Sequence, residues 1–314
     1  MIKTAQVANL NITFGEGELP LLEFFDTVFY PAITSGISRK SYDDYYMFKE
    51  IEISKNNSGV YILRGKLVKK TTLEIKSDLN EYGELIDKDE QYSAAPYSYF
   101  IINLKNHRLV FMPNQKGSPT LANFKSTIAY VIETYINNIN NHRDEKNKID
   151  SPMIRVVGVP SVKSMSELLE NVEKIQLLRL KFYPLNGDID YSEAFGILTN
   201  NTRRTLDCKN GEILFRSPKS IDGVIEVLEK AGGTICPVLK VKTKNGSTAT
   251  LNDYQLSERY EFEMGDDPAC DDGIHLTQKA EEIPTMNYTN DSHNKIYEQN
   301  ISRIIPFFPK RCDK

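Results

Sequence analysis

Signatures of a common cofactor are missing from this sequence. Its glycines form no G-x-G-x-x-G, and the loop Pro113-Asn-Gln-Lys-Gly117-Ser-Pro119 is not a G-x-x-x-x-G-K-[ST] cradle. Nucleotide binding of those two kinds therefore has no support. Cysteine and histidine are scarce: Cys208, Cys236, Cys270 and Cys312 contain no C-x-x-C pair, and only His107, His142, His275 and His293 accompany them. Neither a structural zinc site nor a disulfide framework is indicated, and four reduced thiols fit a reducing compartment. No apolar run approaches the ~20 residues that span a bilayer. The stretch Met1–Phe14 lacks the apolar centre of a signal peptide and reads as a strand. The expectation is a cytoplasmic protein without membrane contact. A surplus of positive charge is lacking too. The formal net charge is -4, so any attraction to nucleic acid must come from local patches.

What the chain does carry is a core. Its 314 residues are 40% hydrophobic and 26% charged, enough for one large domain or two ordinary ones. Two apolar runs, Phe100–Leu104 and Arg108–Met112, flank Lys105-Asn-His107 as a hairpin would. The stretch Ser118–Asn141 follows, with Leu121, Phe124, Ile128, Val131, Ile132, Tyr135 and Ile139 at helical spacing. Before this unit, Pro20–Tyr30 predicts a buried helix ended by Pro31. Phe48–Ser54 and Gly59–Lys76 predict strands joined at Lys55–Ser58, the second bending at Gly65. Ser77–Ser93 is polar and acidic and reads as a loop.

Beyond Asn137–Asp150, a polar stretch suited to a boundary, the pattern resembles a βαβ unit. It runs through the β-branched Met153–Val159, a helix at Ser164–Val172 and a strand at Ile175–Tyr183. On that strand Ile175, Leu177, Arg179 and Lys181 share one face, and Leu178, Leu180 and Phe182 the other. Helices follow at Tyr191–Asn200 and Ile221–Ala231, the latter stopped by Gly232-Gly233, then strands at Val238–Lys242 and Tyr260–Met264. The expected fold class is α+β: a largely antiparallel sheet packed by a long helix over residues 1–150, a second α/β portion over 151–264, and a polar acidic tail over 265–314. The tail ends in an apolar segment, Ile301–Phe308, that docks back.

Three groups of residues are candidates for function. The long strand alternates so that Arg64, Lys66, Val68, Lys70, Thr72, Glu74 and Lys76 share a face. With Arg39, Lys40 and nearby tyrosines, that cationic face suits a phosphate backbone. It equally suits the solvated side of a half-buried sheet. Glu74-Ile-Lys76 matches the E-x-K half of a metal-dependent nuclease site, in which the carboxylate holds Mg²⁺ and the lysine polarises water. The second carboxylate is the missing part. A hairpin through Lys55–Ser58 sets Glu50 opposite Leu63, roughly 36 Å from Glu74, leaving only Asp43 or Asp44. Asp188 and Asp190, in Asn186-Gly-Asp-Ile-Asp190, are a weaker Mg²⁺ pair, and a turn with a helix cap explains them as well. His107, at the hairpin tip, reads as a turn histidine with a structural hydrogen bond.

The segments Ala94–Phe111, Gly117–Ser126 and Leu180–Asp190 resemble an uncharacterised bacterial family of phage-defence-associated proteins. The resemblance spans the middle half of the chain. It implies a cytoplasmic accessory or sensor component of an anti-phage system, acting in a protein complex, and transfers no catalytic residue. The resulting expectation is a non-enzymatic component without a cofactor, binding nucleic acid or a protein encoded nearby, and able to form oligomers. The alternatives are a metal-dependent nuclease using Glu74 and Lys76 with Mg²⁺, and an assembly subunit without nucleic-acid contact.

Overall fold

From Ile2 onward the chain forms a 13-residue strand, β1 (Ile2–Phe14), and Val7 to Phe14 are buried without interruption. A strand buried this fully must pair its backbone along its length, and much of the fold supplies that pairing. The computed structural model describes residues 2–186, 202–263 and 272–309. Its large sheet is antiparallel and holds β1, β2 (Leu19–Pro20), β3 (Ser38–Ser41), β4 (Asp44–Lys55), β5 (Tyr61–Leu79), β6 (Leu85–Ala94), β7 (Tyr97–Asn103), β8 (Arg108–Pro113), β9 (Pro152–Gly158) and β14 (Arg259–Glu263). The spatial order is β14-β1-β8-β7-β5-β4-β3, with β2 and β9 also paired to β1 and β6 to β5. A second antiparallel sheet, in the order β11-β10-β12-β13, contains β10 (Val172–Phe182), β11 (Gly211–Arg216), β12 (Cys236–Thr243) and β13 (Thr248–Asn252). The protein is α+β.

Helices cover both faces of the large sheet. On one side lie α1 (Tyr30–Thr34) and α2 (Leu121–Asn140). Thr120 caps α2 by accepting from the Asn123 N–H, and the Asn123 side chain answers by accepting from the Thr120 N–H. The face of α2 that enters the core is Leu121, Phe124, Ile128, Val131, Ile132 and Ile136. Phe124 meets the rings of Phe48, Phe100 and Phe111 at 5.6, 5.2 and 5.6 Å. The small sheet packs its buried face on α3 (Val162–Leu169) and α4 (Ile221–Ala231), the latter ended by Gly232 in the left-handed region at φ 53°. After α5 (Asp253–Leu256) and β14, the chain forms α6 (Asp272–Glu281), α7 (Pro284–Asn287) and α8 (Asp291–Ile304). Leu276, Ala280, Ile283 and Met286 close the second face of the large sheet. Ile304 and the Phe307 and Phe308 rings return to the first, so the apolar terminal segment docks as expected.

Several expectations need correction. Pro31 does not end the first helix. The chain runs helically from Leu21 to Thr34, and a wide turn over Phe25–Phe29 lets Pro31 sit in the first turn of α1, where its missing N–H costs nothing. Ser77–Ser93 is not a loop: β5 continues to Leu79, turns through Asn80–Glu84 and returns as β6. The stretch 152–182 is not βαβ, because β9 joins the large sheet and β10 runs antiparallel to its neighbours in the small one. A bulge between Ile175 and Leu177 moves Ile175 onto the buried face with Leu178 and Leu180. Residues 272–309 are largely helical rather than a polar tail. The boundary expected near residue 150 is crossed by the large sheet, since β9 and β14 both pair with β1. The helix expected at Tyr191–Asn200 lies outside the described residues.

Because Phe124 touches three aromatic rings and is fully buried, Phe124→Ala should destabilise the protein by about 3–5 kcal/mol. A shift in the urea midpoint measures this, and an unchanged midpoint would mean that this helix face does not carry the core.

Candidate functional site

The cationic face of β5 exists, but much of its charge is neutralised. The register of the β4–β5 hairpin sets Ile53, not Glu50, opposite Leu63, and Glu52 opposite Arg64. Glu50 and Ile51 form a bulge across from Gly65, with Glu50 in the left-handed region at φ 51°. Gly65 is the residue that permits it. A Cβ there would lie 2.5 Å from the Ile51 Cδ1 and 2.9 Å from the Phe100 Cζ. The irregularity expected at Gly65 is thus borne by its partner strand. One result is that Glu50 reaches Lys66 at 2.5 Å, while Glu52 holds Arg64 at 2.6 Å. Lys66 also lies over the Tyr97 ring at 4.9 Å, and Leu276 of α6 lines the same small recess as Arg64 and Lys66. The two cations keep only 17% and 23% of their side-chain exposure.

The tyrosine-rich end of the strand differs. Lys40, Tyr45 and Lys70 stand in cross-strand register on β3, β4 and β5. Lys40 sits over the Tyr45 ring at 5.7 Å, and neither lysine has a carboxylate partner among the described residues. Arg39 is on the opposite face, over the Tyr46 ring at 4.7 Å and donating to the Thr127 hydroxyl. Asp44 binds Lys69 at 2.9 Å. Burial works to raise its pKa, but hydrogen bonds from Thr71, Lys69 and Tyr46 together hold it below the ordinary carboxylate value.

The E-x-K pair is not completed. Glu74 faces Gln91 across the hairpin, and its carboxylate is 3.2 Å from the Lys76 ammonium, both well exposed. Asp44 stops beside Thr71, three residues or about 10 Å short of Glu74 along the strand. Among the described residues no group of three or more His, Cys, Asp or Glu is placed to hold a metal ion. Asp188 and Asp190 lie outside the described residues. His107 is buried at the hairpin tip in the left-handed region, φ 58°, its N–H donating to the Asn103 carbonyl at 2.8 Å and its ring 6.4 Å from that of His293. Nearby Asn103 and Asn106 donate to the carbonyls of Met286 and Tyr288. The tip therefore anchors α7.

The feature that sequence reading missed is the ribbon made by the distal half of β5 and by β6. It leaves the sheet after Lys70, where pairing with β4 ends. It exposes large apolar side chains: Leu73 at 56%, Leu79 at 63%, Tyr82 at 87%, Leu85 at 73% and Tyr92 at 51%. Between Thr72 and Ala94 it carries seven carboxylates (Glu74, Asp78, Glu81, Glu84, Asp87, Asp89, Glu90) and two lysines, Lys76 and Lys88. Lys88 bridges Asp78 at 2.9 Å and Glu90 at 3.6 Å. No family model matches the chain, and no curated protein does. No helix of the described residues is long and apolar enough to cross a membrane.

Charge reversal separates the two ends of the basic strand. Arg64→Glu would face Glu52 and should destabilise by about 1 kcal/mol, less at high salt. Lys70→Glu, exposed and unpaired, should stay within about 0.5 kcal/mol of wild type. Equal urea midpoints for the two variants would contradict this division.

Asp44 gives a pH test. A carboxylate held below its unfolded value contributes stability that is fully present above that value and lost as the pH falls through the folded one. Asp44→Asn should therefore be less stable than wild type at neutral pH, and the gap should narrow below about pH 4. A gap constant from pH 7 to pH 2 would remove the ionised Asp44 from the account.

Proposed function

We propose that this chain is a non-enzymatic binding component of a bacterial anti-phage defence system that engages a protein partner through the β5–β6 ribbon. The role in defence comes from the family resemblance. The mode of binding is supported by one observation: a two-stranded ribbon that exposes a row of large apolar side chains. Leucines at 56–73% exposure are unfavourable on an unpartnered surface. Among the described residues both edges of the ribbon have open backbone, because the pairing of β4 with β5 ends at Lys70 and β6 pairs with β5 alone. Such an edge accepts an added strand. Charge selects the partner. Seven carboxylates against two lysines repel a phosphate backbone and a second copy of the same ribbon, and attract a basic protein surface.

Co-purification with the proteins encoded beside this one tests the proposal. Leu79→Ser with Leu85→Ser should weaken capture of the partner by tenfold or more, about 1.4 kcal/mol. The melting temperature should not change, because neither residue is in the core. Undiminished capture by the folded double variant would refute the ribbon as the docking element.

A second reading rests on the Lys40–Tyr45–Lys70 row, whose exposed lysines and ring suit phosphates and a base. Lys40→Glu with Lys70→Glu should then abolish binding to single-stranded oligonucleotides and flatten its salt dependence. Undetectable oligonucleotide binding by the wild type removes this reading.

A further inference from the structure

Where the two sheets meet, a cleft of about 540 Å³ opens between α2, β9 and the ends of β10 and β12. Its rim brings together three cations from three elements: Lys125 of α2, Arg155 of β9 and Lys181 of β10. The pairing register explains how Lys181 arrives. It stands opposite Glu212 on β11 and Cys236 on β12, so the three side chains leave the small sheet on one face. That face is the one opposite the buried Leu180 and Phe182. Lys125, from the helix on the large sheet, and Lys181, from the small sheet, line the same cleft as the Cys236 thiol.

Among the described residues these three cations have no carboxylate within ion-pair distance. Arg155 donates to the Ile154 carbonyl at 3.0 Å and to the Asn210 side chain at 3.5 Å, both neutral acceptors. The one carboxylate of the lining, Glu212, is shared with Arg179 at 3.6 Å. Cys236 adds no negative charge. Burial, with Asp253 alongside, pushes its thiol up to about 11, so it is neutral at physiological pH. Three converging like charges repel one another, and a bound anion would relieve that repulsion. A concave site of this volume takes a small molecule.

We infer that this cleft binds a small polyphosphate, its phosphoryl oxygens held by Lys125, Arg155 and Lys181. The inference does not rest on the ribbon or on its partner. A nucleic-acid backbone offers the same oxygens, and comparing ATP with an oligonucleotide separates the two sources.

Calorimetric titration of the full chain with pyrophosphate, ATP and a single-stranded oligothymidylate tests it. Pyrophosphate or ATP should bind. Lys125→Ala, Arg155→Ala and Lys181→Ala should each weaken binding about tenfold, the usual loss for one charged hydrogen-bond donor. Lys240→Ala, on the same sheet but outside the cleft lining, should bind as wild type does. Lys181 is exposed, so its variant reads binding without risk to the fold. Three results would each overturn the inference: no heat with pyrophosphate or ATP, unchanged affinity in Lys181→Ala, or tighter binding of the oligothymidylate than of ATP that the same variants abolish.

Discussion

The rest of the structure depends on the backbone pairing of β1. From Val7 to Phe14 the strand has neither face nor edge open to water, so each N–H and C=O needs a partner within the protein. The chain meets that demand by returning four times, first as β2 against Thr13–Phe14. β8 pairs along Gln6–Asn9, β9 along Ala8–Phe14 and β14 along Ile2–Gln6. Polar side chains of β1 extend the demand into the seam between the sheets. Asn11 donates to the Pro184 carbonyl at 2.7 Å and accepts from the Asn186 N–H at 2.6 Å. The end of β10 is thereby tied to the large sheet, and this positions Lys181 near Arg155. One buried strand thus organises the cleft as well as the sheet.

Much of this was legible in the sequence where the apolar pattern matches the environment. The Leu121–Asn140 helix follows its helical spacing of apolar residues, and the Phe100–Met112 hairpin follows two continuous apolar runs buried on both faces. The reading fails where periodicity and environment part company. Asn9, Asn11 and Thr13 alternate with Leu10, Ile12 and Phe14, a pattern that suggests a solvated face, yet all six are buried. The distal ribbon fails in the opposite sense. Its composition is that of a loop, and its strand character comes from pairing with itself rather than from burial. Glu50 was misplaced because the chain turns through Asn56–Val60, from Lys55 to Tyr61, rather than through Lys55–Ser58, which moves the register at Leu63 from Glu50 to Ile53; the bulge opposite Gly65 lies beyond that point.

Of the candidate sites, charge pattern was readable and charge pairing was not. Alternation put Arg64, Lys66 and Lys70 on one face correctly, but only the register shows that Glu50 and Glu52 neutralise the first two and leave Lys70 bare. The seam cleft had one visible sign, the position of Lys181 on the outward face of β10. Lys125 and Arg155 lie on separate elements, and no spacing rule links residues that the fold brings together through β1.

The dependence on β1 also sets a timetable for synthesis. The stretch Ile2–Gln6 pairs with Arg259–Glu263, roughly 250 residues later in the chain. At about 5–20 residues per second, that edge waits roughly 12–50 s on the ribosome for its partner. During that interval its backbone is an unprotected sheet edge, the kind that pairs with other nascent chains. The time for which this edge stands unpaired before β14 emerges is therefore set by the rate of translation.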